Sequence, residues 1–343
     1  MATIHDVAQL AKVSIATVSR VLAQKDCVKH ETKEAVLRAV DQLSYKPNAM
    51  ARSLRVDKSN TIVVLVGHLK SVFHAEFIRG IEDSLRTSGY HLLFGSTSGD
   101  NTRETEYLDL IKESRVDGLI LGHPSIDLSV LEEVRKYAPV VVAFDYVSSS
   151  SVPSISIDNE SASRKMTNHL LSLGHTRIGH ITGPSHRMLT QTRLRGFRQG
   201  LAQHMIVGDE AYIQEGGNTF EDGYEAANKL LAMQDRPTAI FAQSDSLAIG
   251  AMRAVHEKGL RIPQDIAITG FDNSSISAFV TPSLTTMENP TYTIGTQAVS
   301  MLLQQIQGEP LQDTHILLKD SLVLRESCGE NRVSCNDDIL PRM

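Results

Sequence analysis

Cysteine is scarce in this 343-residue chain: Cys27, Cys328 and Cys335 are the whole supply, with no CxxC pair and no zinc-like spacing. That argues against a disulfide framework or a structural metal and fits a reducing compartment. No run of about 18 apolar residues is present, so no membrane-spanning helix is expected. The start, MATIHDVAQL, lacks the charged, apolar, small-residue order of a secretory signal, and the cytoplasm is the expected location. There is no GxxxxGK phosphate loop, no GxSxG elbow, no HExxH and no GxGxxG opening a helix. Neither catalysis nor a cofactor is therefore expected. His175 and His180, five apart in GHTRIGHITG, read as loop and sheet positions rather than metal ligands.

The net charge of -6 conceals an asymmetry. Residues 1–59 hold ten Lys/Arg against six Asp/Glu, a balance of +4, and the remainder carries -10. A basic head on an acidic body points to a polyanion as partner of the head.

Within that head, Thr3 and Asp6 have the spacing of a capping box, and Ile4, Val7, Ala8 and Ala11 recur at helical spacing. Ser14 can cap a second helix, VSIATVSRVL, in which Val18, Val21 and Leu22 form an apolar stripe. A third helix is expected from about Thr32 to Leu43, with Val36, Val40 and Leu43 inward. Two short helices joined this tightly make a helix-turn-helix. The outer face of the second carries small or linear side chains, which suits the major groove of DNA. There Arg20 can donate a fork to guanine, Ile15 and Ala16 can touch thymine methyls, and Ser14 and Thr17 can bond phosphates. The alternative is the solvated face of a small bundle. Beyond it, YKPNAMARSLR holds a short helical pattern, with Asn48 as cap, Leu54 on one face and Arg52 and Arg55 as charges. It has no core of its own, so it is expected to order against DNA.

From Asn60 on, TIVVLVG, YHLLFGST, VDGLILG, VVVAFDY, TRIGHITG, PTAIFAQ and DIAITGFDN read as buried parallel strands alternating with amphipathic helices. That alternation is too long for one sheet and predicts two doubly wound parallel sheets. SSSSVPS, 148–154, reads as a loop. Ligands in such sheets sit beyond the carboxyl ends of strands. Asp272 in GFDN is an acceptor for hydroxyl or ring N–H groups, or else a capping Asp. Arg193 offers a planar fork of donors, or else a surface ion pair. Phe220 can stack on a sugar or base face, or else belongs to the core. Asp145 and Ser244 lie at other strand ends.

TIHDVAQLAKVSIATVSRVL…YKPNAMARSLR resembles the head and hinge of the lactose-repressor/galactose-repressor family of bacterial transcription regulators. The likeness continues through GLILG, SISIDN, LGHTRIGHITGP, RLRGFRQGL, PTAIFAQSDSLAIGAM, GLRIPQDIAITGFDN and PSLTT, over roughly residues 2–328. The resemblance implies that Ile15, Ala16 and Arg20 read bases and that Leu54, beside Arg55, wedges into the minor groove at the operator centre. It places effector contacts at Phe73, Arg187, Arg193, Phe220 and Asp272. It also implies a periplasmic-binding-protein-like body of two subdomains with a cleft between them, the chain crossing near 160, 290 and 320. Lys12 departs from the family, which often has Gly or Asn at that turn, and GHLKSVFHAEF departs from its frequent Asn-Pro-Phe-Phe loop.

The organisation expected is a helix-turn-helix domain at 1–46, a hinge at 47–59, a body at 60–329 and a tail at 330–343. Subdomain 1 takes about 60–159 plus 291–319, and subdomain 2 about 160–290 plus 320–329. The function expected is an operator-binding repressor of a catabolic or uptake operon, controlled by a carbohydrate-like effector in the cleft. A nucleoside or nucleobase is the alternative effector. The tail GENRVSCNDDILPRM has no leucine heptad, so a homodimer on a pseudo-palindromic double-stranded DNA is expected, with no membrane partner. The competing classes are a solute-binding protein without DNA function and a sugar-processing enzyme.

Overall fold

The structure is a computed structural model, described for residues 2–22, 28–45, 58–67, 73–97, 100–113, 116–124, 126–146 and 151–329. Leu54, Arg55 and the tail lie outside the described residues. The chain divides into two compact units, 1–59 and 60–343.

The first unit contains α1 (Ile4–Leu10), α2 (Ile15–Leu22) and α3 (His30–Gln42). Thr3 and Asp6 form the expected reciprocal capping box at the start of α1: the Thr3 N–H donates to Asp6 Oδ2 at 2.7 Å and the Asp6 N–H to Thr3 Oγ1 at 3.4 Å. At α2 the Ser14 hydroxyl accepts the Thr17 N–H at 3.1 Å. Val7, Ala8, Val18, Val21, Val36 and Ala39 close a small core, with Val40 and Leu43 packed at its margin. Lys12 turns the chain between α1 and α2 with φ +52°, a conformation that a side chain bearing Cβ adopts at a cost.

In the second unit a six-stranded parallel sheet has the order β11-β5-β4-β3-β1-β2, formed by β1 (Thr61–Val66), β2 (His91–Ser96), β3 (Gly118–Gly122), β4 (Val140–Ala143), β5 (Ser154–Ile157) and β11 (His315–Leu318). A four-stranded parallel sheet has the order β7-β6-β8-β9, from β6 (Ile178–Thr182), β7 (Ile213–Glu215), β8 (Ala239–Ala242) and β9 (Ala267–Thr269). A short antiparallel ribbon joins β10 (Thr286–Glu288) to β12 (Ser321–Val323). Helices cover both faces of each sheet. On the six-stranded sheet, α4 (Phe73–Leu85) and α11 (Thr291–Gln307) share one core, and α5 (Asn101–Lys112) and α6 (Leu128–Val134) flank the other. On the four-stranded sheet, α9 (Phe220–Leu231) and α10 (Asp245–Glu257) lie on one face, α7 (Asn159–Ser172) and α8 (Met188–Gln203) on the other. Paired helices approach closely at glycines: a Cβ on Gly295 of α11 would stand 2.4 Å from the Phe77 carbonyl oxygen of α4.

The seven strands expected from apolar runs are all present. β5 differs from expectation, because its first residue, Ser154, lies in the stretch read as loop. Its serines are fully buried, and the Ser156 hydroxyl donates to the Phe144 carbonyl at 2.6 Å. His180 sits in β6, fully buried and stacked on Phe197 with ring centroids 4.5 Å apart.

In both sheets the strand order reverses once near the middle, between β1 and β3 and between β6 and β8. The chain segments leaving these four strands open at their carboxyl ends, where ligands bind in doubly wound sheets.

Candidate functional site

Gly67, His123, Gly183 and Gln243, which follow β1, β3, β6 and β8, line a single cleft. Both switch points thus open onto the same space.

Arg193 in α8 is the centre of its buried wall, only 2% exposed. Its Nε donates to Asn159 Oδ1 at 2.9 Å, Nη1 to the Gln243 carbonyl at 2.6 Å and Nη2 to Asp272 Oδ1 at 3.2 Å. The guanidinium lies over the Phe271 ring, 3.5 Å from its centroid. Burial draws the Arg193 pKa down while Asp272 draws it back up, and a guanidinium keeps its charge through such a contest. Gln243 is fixed by accepting the Gly183 N–H at 3.1 Å and donating to Thr190 Oγ1 at 3.0 Å. The opposite wall is aromatic: His123 stacks on Phe144 at 4.9 Å, Phe73 meets Phe144 at 4.7 Å, and His123 Nδ1 lies 3.4 Å from Asp145 Oδ2. Arg187, at the start of α8, has a buried Nε with no hydrogen-bond partner. Its guanidinium packs over Gly67, where a Cβ would stand 3.3 Å from Nη1. Burial lowers the Arg187 pKa, with Asp145 and Glu104 opposing.

Backbone strain gathers here. His123, Phe144, Asp272 and Asn273 have φ of +59°, +74°, +103° and +49°. Non-glycine residues keep such conformations only where their surroundings over-determine them, as at ligand sites.

Phe73, Asp145, Arg187, Arg193, Ser244 and Asp272 all line this cleft. Arg193 also makes an ion pair, but a buried one within the cleft wall. Ser244 caps α10, accepting the Leu247 N–H at 3.3 Å. Phe220 is not among the lining residues; Gly217 and Asn218 stand there instead. The reason is local: Thr219 and Asp222 form a capping box that starts α9 at Phe220, and its carbonyl faces Gly250, where a Cβ would stand 2.0 Å away. Sequence reasoning missed Thr190, His123, Gln243 and Asp245. Gln243 and Asp245 flank Ser244 just after an apolar strand, and that position was the available signal.

On the first unit, Ala16 and Arg20 are exposed on α2, while Ile15 is half-buried and packs against the helical core. Ser14 is exposed and Thr17 half-buried, with their hydroxyls 2.9 Å apart. Among the described residues, no helix is long and apolar enough to cross a membrane, and no group of three metal-ligating side chains is found.

Residues 3–48 match the family described as bacterial regulatory proteins, lacI family, and residues 167–328 match the periplasmic binding protein-like domain. The HTH-type transcriptional repressor CytR of Escherichia coli strain K12 is 38% identical over 328 residues, covering 95% of this chain and 96% of that protein. The lac repressor dimer bound to operator and the anti-inducer ONPF superposes with a TM-score of 0.83 at 29% identity, over 95% of this chain and 99% of that one. A complex of the transcriptional regulator CelR with cellobiose gives a TM-score of 0.70 at 28% identity, over 95% and 100%. The chain belongs to the lacI family of DNA-binding transcription regulators, with a helix-turn-helix head and a periplasmic-binding-protein-like body.

Proposed function

We propose that this protein is a homodimeric repressor of a catabolic or uptake operon, whose affinity for a pseudo-palindromic operator is set by a small carbohydrate-like effector in the cleft. The observation that carries the effector reading is the buried Arg193–Asp272 pair, 3.2 Å apart at the strand ends where both switch points open. A carboxylate and planar donors beside an aromatic wall suit a ligand with several hydroxyls on a ring. The structures similar to this one hold cellobiose in one case and operator with ONPF in another, which supports a ligand-controlled DNA binder. A nucleoside is the second reading, favoured by the Phe73 and His123 rings, 6.1 Å apart and inclined by 27° on one wall, as a platform for a base.

In this reading Ile15, Ala16 and Arg20 meet base edges, Ser14 and Thr17 phosphates, and Leu54 and Arg55 the central minor groove. The head occupies 1–46, the hinge 47–59 and the body 60–329. Effector seated on Arg193, Asp272, Arg187 and Phe73, with Asp145 and Ser244 at the margin, changes the angle between the two sheets of the body. The hinges transmit that change to the operator. A coupling of about 1–3 kcal/mol is typical of such linkage, and operator must alter effector affinity by the same factor.

Selection of duplexes from a random pool tests this, followed by titration of the winner with sugars, sugar phosphates and nucleosides. A pseudo-palindrome whose affinity moves with one compound is expected. Failure to enrich any sequence, with and without cell extract, would overturn the operator-binding role. Turnover of the ligand found would point to an enzyme instead.

A further inference from the structure

Asp245, the first residue of α10, lines the cleft yet is only 2% exposed, and the function proposed above gives it no task. Its Oδ1 accepts the Thr286 hydroxyl at 2.6 Å. Its Oδ2 accepts both the N–H and the hydroxyl of Ser274, at 2.6 and 2.8 Å. Ser274 closes the turn whose two preceding residues, Asp272 and Asn273, are left-handed at φ +103° and +49°. Something must over-determine that turn, and its fastenings are visible. The Asp272 N–H donates to the Met287 carbonyl at 2.7 Å and the Asn273 N–H to Thr286 Oγ1 at 3.3 Å, both on β10. From the segment after β12, Arg325 Nη2 donates to Asn273 Oδ1 at 2.7 Å.

We propose that Asp245 is a positioning residue of the cleft: its carboxylate pins the Asp272–Ser274 turn to β10, holds Asp272 at its angle to the ligand, and carries the ligand's seating into the β10–β12 ribbon. This rests on the cleft being the effector site. The ribbon is the place to send such a signal, because β10 is followed directly by α11 of the six-stranded half and β12 is preceded directly by β11 of the same half. A shift of the turn is therefore felt where the chain passes between the two sheets.

The charged groups around Asp245 govern its ionisation. Burial, and then the charge of Asp272, push the Asp245 carboxyl up to about 7. Arg193 of α8 and Arg325 face it with positive charge, and Ser274 and Thr286 supply its hydrogen bonds. Ionised, the carboxylate accepts all three donors; carrying a proton, it must give up part of that acceptor capacity. The grip of the carboxylate is therefore read at pH 8, where the group is ionised.

Hydrogen exchange of the full-length protein without ligand, corrected for intrinsic rates, reads this directly in residues 270–289. Asp245→Asn is expected to exchange at least tenfold faster than wild type there at pH 8, and to leave the six-stranded sheet unchanged. Ser274→Ala, which removes the hydroxyl that Asp245 Oδ2 accepts and keeps the carboxylate, should raise exchange in the same segment by a smaller factor; if Asp245→Asn does not fold, this variant decides. No acceleration in residues 270–289, or acceleration spread evenly over the body, overturns the proposal. Calorimetry with D-ribose and cytidine as probes at pH 8 adds the link to ligand, with affinity expected to fall at least tenfold in Asp245→Asn. A probe that binds both proteins equally also overturns the proposal. Binding of neither probe to wild type counts against the effector classes named above, while the exchange data still decide on Asp245.

Discussion

Asn159 at the start of α7 accepts from Arg193 of α8 at 2.9 Å, and the other end of the same amide reaches the six-stranded half of the body. Asn159 Nδ2 lies 3.4 Å from the Phe144 carbonyl and 3.2 Å from Ser156 Oγ, at the ends of β4 and β5, while Arg193 stands in α8 against the other sheet. One guanidinium therefore serves Asn159, the Gln243 carbonyl and Asp272 at once.

Removing that cation leaves a buried carboxylate, an amide and a carbonyl without their donor. Arg193→Ala is expected to lower body stability by about 3–5 kcal/mol, the usual cost of leaving one partner of a buried ion pair alone. Arg193→Lys keeps the charge but cannot present three donors in a plane, so it should fall between the two. Urea denaturation followed by far-ultraviolet circular dichroism measures both. A loss under about 1 kcal/mol for the alanine variant would mean that the pair is not a structural hub.

On the head, the expected effects separate by contact type. Arg20→Ala should cost about 1–3 kcal/mol in operator binding and relax preference at one base position per half-site, as loss of a bidentate base contact does. Titration against the selected operator and a scrambled duplex at fixed salt checks it. Equal losses on both duplexes would assign Arg20 to phosphate.

Much of this architecture was legible because buried parallel strands are apolar on both faces, as in TIVVLV of β1 and AIFA of β8. The strands that escaped are short or polar. β7 reads IQE and β10 TME, three residues that no periodicity can mark. β5 reads SISI, and its serines are buried only because Phe144 and His315 supply their partners from elsewhere in the chain. The cleft was legible as strand ends at Asp145, Ser244 and Asp272 and as a donor fork at Arg193, while Phe73 and Arg187 came from the family resemblance; all six line it. Phe220 is not among the lining residues, because an aromatic after a turn carries no sign of which way the turn ends, and the capping box at Thr219 decides that. Asp245 was invisible for a related reason: its partners, Ser274 and Thr286, lie far along the chain.

Lys12 offers a test of backbone strain separate from DNA contact. At φ +52° a Cβ is disfavoured, and glycine there relieves about 1 kcal/mol, less a few tenths for its greater freedom in the unfolded chain. Lys12→Gly should therefore raise the thermal midpoint of the head, measured by calorimetry on the full chain. Lys12→Val, β-branched, should lower it. A midpoint unmoved by either would show that the turn is held by its neighbours at no cost.

His180 sets the response of the body to acid. Its Nδ1 must carry the hydrogen, since the Phe241 carbonyl at 2.8 Å can only accept, and Nε2 is then buried with no hydrogen-bond partner. Burial holds its pKa down at about 4, against an ordinary value of 6.5. Above pH 6.5 the ring is neutral in folded and unfolded chains alike, and its contribution is fully present. Between pH 6.5 and 4 the unfolded chain takes up a proton that the folded chain refuses, so stability falls with pH by up to about 3 kcal/mol. Asp245 acts in the opposite sense, because its raised folded pKa of about 7 favours the folded chain as pH falls from 7 toward 3.8. The wild-type curve therefore understates each group, and single variants separate them. His180→Phe fills the same stack on Phe197 and cannot titrate. Relative to wild type it should gain about 3 kcal/mol between pH 6.5 and 4, read from urea midpoints across that range, on top of a constant loss for the missing hydrogen bond. Parallel curves for the two proteins would mean that His180 is protonated in the fold, with water or a shifted carbonyl supplying the acceptor that Nε2 lacks.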